Sequence, residues 1–162
     1  MASFMDNLRE KAKANPKTIV LAEGYDERHI KAAVILKKEK LVKGVILLGD
    51  KAKIESLAKE NSLEIDAFAK IFDPKIETKT ESYIELLFKA REKKGMTKDQ
   101  AKELIVYNSV YTGAAILADN GADGMVGGAV YATGEMLRAA LFLIGLKKGI
   151  KTLSSAFFIE SP

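Results

Sequence analysis

Asp123–Arg138 reads DGMVGGAVYATGEMLR, and how this stretch is parsed decides the fold. A short apolar run, Met125 and Val126, is followed by the glycine pair Gly127 and Gly128. A small-residue turn then runs through Ala129 to Thr133, and an amphipathic segment opens with Glu135 and carries Arg138. The order is strand, bend, helix. Glycines at the end of a strand let the chain turn sharply with its amide N–H groups bare, and the following helix adds unpaired donors and a positive dipole end. Such a bend can cradle an anion. It can equally be a tight turn and nothing more, because the stretch has neither a G-x-G-x-x-G fingerprint nor a Walker lysine. Arg138 favours the first reading: a guanidinium near a helix start works against the macrodipole, so its placement points to a role other than helix stability.

Outward from this stretch, the same alternation recurs. Thr18–Ala22 is β-branched and apolar and is closed by Gly24 and Asp26, a buried parallel strand and a turn. Asp26 is placed to cap a helix whose apolar face is Ile30, Ala33 and Val34, with Leu41 beyond. VKGVILLGD (42–50) repeats the strand, and Asp50 is placed to cap the helix KAKIESLAKENSL (51–63). IFDP (71–74) is a short third strand ended by proline. Helical periodicity runs from Glu77 to Arg91 and stops at Gly95, and Thr97 with Gln100 forms a capping box for the next helix. Tyr107–Asn120 reads as one long apolar helix with Gly121 as its stop. Beyond Arg138 the helix continues to about Gly145, and TLSSAFFI (152–159) reads as a last strand. Alternating strands and helices predict an α/β fold, three-layer α/β/α, with a mainly parallel sheet and right-handed crossovers.

The 162 residues suffice for one domain with a proper core and are too few for two full ones. With 48% hydrophobic and 30% charged residues the chain is of ordinary globular composition, not disordered. Apolar runs fall short of the roughly 20 residues a membrane helix needs, and the opening MASFMDNLREKAKANPK is interrupted by Asp6 and Glu10. A surface helix in a cytoplasmic protein is expected. Zero cysteines exclude a disulfide framework and a thiolate nucleophile, and the single His29 excludes a Ser-His-Asp triad and a histidine-rich metal centre within this chain; it is expected at the surface or half-buried. The net charge of +4 is spread over helix lysines, and aromatics are only 7%, which does not suit a nucleic-acid binder.

Several motifs together resemble one family. AEGYDERHIKAA (22–33), FKAREKKGMTKDQA (88–101) and ADGMVGGAVYATGEMLRAALFLIG (122–145), followed by SSAFFI (154–159), are similar in order and content to the phosphate acetyltransferases and to the wider phosphate acetyl/butyryl transferase group. The resemblance runs over nearly the whole chain and implies an isocitrate/isopropylmalate dehydrogenase-like α/β/α fold, incomplete in this chain. Residues 1–148 would form a first domain lacking a completing C-terminal segment, and 149–162 the start of a second, cleft-facing one. It further implies reversible acetyl transfer between phosphate and coenzyme A, with acetyl phosphate, CoA and phosphate as substrates, no resident cofactor, no metal, no nucleic acid or membrane partner, and a homodimer. The family's aspartate, arginine and serine that act on the thiol and the acyl group lie in its second half, so no catalytic residue is assigned in this chain. A butyryl-transferring enzyme and a non-catalytic CoA- or nucleotide-binding domain of the same fold are the alternatives.

Carried over residue by residue, the resemblance assigns Arg138, in the T-x-x-x-L-R segment that starts at Thr133, to phosphate or CoA. It assigns Arg91, before the KKG stretch, to CoA, and matches Arg28 to the arginine after the first strand. Ser154 and Ser155 match a hydroxyl pair near the cleft. With Gly127, Gly128, Ala129 and Thr133 of the bend and helix start, these make up the expected substrate-binding set. The end of the chain, Glu160–Pro162 directly after apolar Phe157, Phe158 and Ile159, reads as unfinished.

Overall fold

The computed structural model describes residues 3–65, 68–156 and 159. Four strands form one parallel sheet: β1 (Lys17–Leu21), β2 (Val42–Leu48), β3 (Ala69–Phe72) and β4 (Gly124–Val126), in the spatial order β3-β2-β1-β4. Helices cover both faces, giving the expected three layers. The alternation of side chains along β1 shows how. Leu21 points to the side of α2 (Glu27–Lys38) and α3 (Lys51–Glu60), where it meets Ile30, Ala33 and Ile54. Val20 and Ala22 point the other way, into the core built by α4 (Thr80–Arg91), α5 (Lys98–Tyr107), α6 (Ser109–Ala118) and α7 (Thr133–Leu143). The first helix, α1 (Phe4–Ala14), buries no residue. Among the described residues no helix is long and apolar enough to cross a membrane.

Local chemistry sets most of the boundaries. The Asp26 carboxylate accepts from the Arg28 N–H at 2.9 Å and starts α2, and Asp50 accepts from Lys53 N–H at 3.2 Å to start α3. Thr97 and Gln100 form the expected reciprocal capping box, at 3.2 and 2.9 Å. Gly95, at φ +87°, ends the 3-10 turn Glu92–Lys94 that follows α4.

Four expectations are corrected. Tyr107–Asn120 is two helices: Asn108 is extended, closes α5 and caps α6 by accepting from Val110 N–H at 3.1 Å. The left-handed residue ending α6 is Asn120 (φ 56°), and Gly121 N–H returns to the Ile116 carbonyl at 2.8 Å. Helix α4 starts at Thr80, three residues after Glu77. Residues 152–156 of the expected last strand carry no strand pairing; Phe157 and Phe158 lie outside the described residues.

The order of the strands places a switch point. From β1 the chain crosses to β2 and then β3, and it returns through α4–α6 to lay β4 on the opposite side of β1. The carboxyl ends of β1 and β4 therefore stand side by side where the winding reverses, the position at which open parallel sheets present a crevice.

Candidate substrate-binding site

At this switch point β1 runs on through Ala22, whose N–H still pairs with Val126 O at 3.0 Å, and delivers Glu23 beside the bend that follows β4. Glu23 is fully buried. Its Oε2 accepts from the N–H groups of Gly128 and Ala129, each at 3.0 Å, and its Oε1 from Val130 at 2.7 Å and Tyr131 at 2.8 Å. The bend is thus an anion cradle, and the anion it holds is the chain's own carboxylate. The expectation of bare donors at Gly128 and Ala129 is corrected accordingly: they are satisfied by Glu23. Sequence reasoning missed this residue. Its signal was a carboxylate set directly after a buried strand and before Gly24 in AEGYDER, a place where a charge must find donors.

Gly128 turns the bend at φ +98°. Gly127 is closely packed: a Cβ there would lie 2.9 Å from Met136 Cε, which would have to shift, and 3.2 Å from Ala22 Cβ. His29 is buried, which corrects its expected surface or half-buried place. Its Nδ1 accepts from the Glu23 backbone N–H at 3.1 Å, so the ring proton of the neutral imidazole belongs on Nε2, 3.5 Å from Glu23 Oε2. Burial alone would raise the Glu23 carboxyl. The N–H groups of Tyr131, Val130 and Ala129, with the neighbouring imidazole, outweigh burial and hold the group below its ordinary 4.5. Burial, and then the Tyr131 phenol, push the nearby Tyr25 phenol well above its usual range.

Arg28 clamps the bend from outside. Its guanidinium makes two bonds to Asp26, at 2.9 and 2.8 Å, and donates to the Ala129 carbonyl at 2.9 Å. Arg28 is thus held in a local pair with Asp26 and tied to the bend through Ala129. Thr133 opens α7 and is exposed; no side chain caps that helix. Glu135 in its first turn accepts from Asn108 Nδ2 at 3.1 Å and lies 3.7 Å from Arg138, which reaches outward, 61% exposed.

The structure brings Arg138 and Arg91 into the neighbourhood of Tyr111. The Arg91 guanidinium lies over the Phe142 ring at 3.9 Å, and Phe142 meets Tyr111 edge-on at 6.0 Å. Burial raises the Tyr111 phenol and the Glu135 carboxylate adds to this, while Arg138 and Arg91 both pull it down, so both guanidiniums are within electrostatic reach of Tyr111. Arg91 also lines a cleft of about 650 Å³ with Lys94, Gln100, Tyr107 and Asn108. Ser154 and Ser155 are exposed and lie outside any strand.

A strand-bend-helix at a parallel switch point, an arginine stacked on Phe142 with a second near Tyr111, and an acid-filled bend make a distinctive arrangement. The family described as "Phosphate acetyl/butaryl transferase" matches residues 3–162, with these elements inside the match. The chain belongs to this family. It is 37% identical over 159 residues to the phosphate acetyltransferase of Clostridium acetobutylicum, covering 98% of this chain and 47% of that protein. It is 39% identical over 160 residues to that of Acetivibrio thermocellus, covering 99% and 47%. A phosphotransacetylase from Streptococcus pyogenes superposes with a TM-score of 0.84 at 30% identity, covering 93% of this chain and 46% of that one. The chain thus spans about half the length of these relatives, and 22% of the longer phosphate acetyltransferase of Escherichia coli, to which it is 38% identical over 160 residues.

Proposed function

We propose that this chain supplies the phosphate- and CoA-binding wall of a phosphate acetyltransferase, which moves an acetyl group reversibly between phosphate and coenzyme A. In the forward direction the CoA sulfur attacks the carbonyl carbon of acetyl phosphate. The C–S bond forms, the C–O bond to the phosphate oxygen breaks, and its electron pair leaves with phosphate. Both substrates are polyanions, and the leaving oxygen gains charge, so guanidiniums that are free of backbone duty are needed at the wall of the cleft.

One observation carries this reading: Arg91 and Arg138, from helices well apart in the chain, converge on the Tyr111–Phe142 pair. Arg138 and the Thr133 hydroxyl meet the phosphoryl group, and Arg91 with the neighbouring Lys94 meets CoA. Arg28 serves by fixing the bend. Residues 1–148 form the first domain and 149–162 enter the second, where Ser154 and Ser155 gain their role. The base for the thiol comes from the part of the relatives' length that this chain does not span. The acetyl group is favoured over butyryl because these relatives and the solved neighbour are named for acetyl transfer. A cytoplasmic homodimer completes the proposal.

The reading is tested with CoA and acetyl phosphate. The purified chain is expected to bind CoA and to form little or no acetyl-CoA, followed by thioester absorbance. Acetyl-CoA formation at ordinary enzyme rates by the chain alone would contradict the division of labour, and failure to bind CoA would contradict the assigned wall.

A further inference from the structure

The crevice at the switch point of an open parallel sheet is where such sheets ordinarily take a ligand, and a helix start preceded by glycines ordinarily offers it N–H groups. In this protein the amides of the bend are filled from within, while the cleft beside it, lined by Tyr25, Gly49, Asp50, Asp73, Ser109 and Tyr131, stays open. Both oxygens of Glu23 are engaged by four consecutive amides, from Gly128 to Tyr131, at 2.7–3.0 Å. The bend is also held from two other sides, by Arg28 on the Ala129 carbonyl and by Met136 against Gly127. Thr133 comes directly after the bend as the first residue of α7, and Arg138 lies just beyond the first turn of that helix.

Glu23 is unsuited to proton transfer. It has no exposed surface, its oxygens are saturated with donors, and no substrate atom can reach it. Its geometry is that of a fixed counter-ion. We propose that Glu23 is a positioning residue of the substrate site, an internal anion that fills the bend, excludes phosphate from it, and sets the start of α7 that presents Thr133 and Arg138. The substrate-site half of this inference rests on the acyl-transfer reading above; the internal-anion half does not. Besides the amides, His29 Nε2 lies 3.5 Å from the carboxylate, and the other titratable groups that feel its charge are Tyr25 and Arg28.

The test uses the 162-residue chain labelled with nitrogen-15, as wild type, Glu23→Ala and Glu23→Gln, with sodium formate, sodium phosphate and sodium chloride at matched ionic strength. In the wild type the amides of Gly128–Tyr131 are expected to be protected from hydrogen exchange and unmoved by any of the three salts. In Glu23→Ala their protection falls at least about tenfold, the factor for one net hydrogen bond, and formate or phosphate restores it by entering the vacated bend while chloride does not. CoA affinity of the Ala variant falls by a similar factor, about tenfold, and formate recovers it, which a loss of general stability would not produce. Glu23→Gln keeps the volume and loses the charge, and its four amides are expected to lose protection with no anion entry. Movement of the wild-type bend amides by phosphate would overturn the proposal, as would rescue by chloride equal to that by formate. If the Ala variant does not fold, full wild-type protection of all four amides in Glu23→Gln overturns it. Formate rescue of the amides, with Thr133 and Arg138 insensitive to both phosphate and CoA, would uphold Glu23 as the bend's anion and defeat the acyl-transfer reading alone.

Discussion

The carboxylate of Glu23 accepts a hydrogen bond from the backbone of Tyr131 at 2.8 Å, across 108 residues of sequence. Three more amides beside Tyr131 share the same acid, so the end of β1 and the entry to α7 form one rigid unit. Bonds from neutral amides to a buried charge are among the stronger ones in a protein, and removing their acceptor leaves the donors unsatisfied.

Glu23→Gln therefore is expected to cost ~2–4 kcal/mol of folding stability, since the side-chain amide replaces one charged acceptor oxygen with a donor facing donors. Urea unfolding of the two proteins measures this. A change below ~0.5 kcal/mol would mean that the bend holds its shape without the charge.

Acid weakens the fold through the same residue and its neighbour. The folded Glu23 carboxyl lies below its ordinary 4.5, so the stability it contributes is present above about that pH and is lost as pH falls through the lower, folded value. Asp26, held by the Arg28 guanidinium at about 2 against an ordinary 3.8, adds a contribution present above 3.8 and lost as pH falls through about 2. The urea midpoint is expected to hold from about pH 7 to about 5 and to fall below about pH 4.5, with a shallower fall in Glu23→Gln. The same acid slope in the variant would remove Glu23 from the explanation.

Gly24→Ala separates packing from backbone conformation. A Cβ at Gly24 would meet the Leu48 carbonyl oxygen at 2.9 Å, Leu47 Cβ at 3.0 Å and Ile54 Cδ1 at 3.1 Å, forcing β1 and β2 apart just where Gly24 N–H donates to that carbonyl. The expected cost is ~1–3 kcal/mol. Gly95→Ala meets no atom within 4 Å and suffers only from φ +87°, for an expected ~1 kcal/mol. Chemical denaturation of both variants gives the ranking, and an equal or reversed order would contradict the close approach at Gly24.

The features legible in the sequence were short in range. Asp26, Asp50 and the Thr97–Gln100 pair act on amides two or three residues away, so residue type and spacing suffice to place them. The apolar patterning of β1 and β2 is equally local, and with the intervening helices it pointed to a parallel sheet covered on both faces. The break at Asn108 went unread because both flanking segments are apolar, although an asparagine is a capping residue and was the available sign. Residues 152–156 have strand composition, yet a strand exists only when a neighbour completes its ladder, and these residues have none in the sheet. Glu23 lay beyond local reading because its donors are more than a hundred residues away, and the glycine bend looked vacant for the same reason. Arg138 is legible from its placement near a helix start and Arg91 only from the family resemblance, while their approach to Tyr111 and Phe142 is a product of how α4, α6 and α7 pack.

CoA binding at those two arginines is the decisive quantity, measured by calorimetric titration of CoA into wild-type chain, Arg138→Ala and Arg91→Ala at two salt concentrations. Saturable binding to the wild type that weakens with salt is expected, with a loss of about tenfold or more, ~1.5–3 kcal/mol, in each variant. CoA that fails to bind, or that binds all three proteins equally, would contradict the assignment of this wall to the substrates.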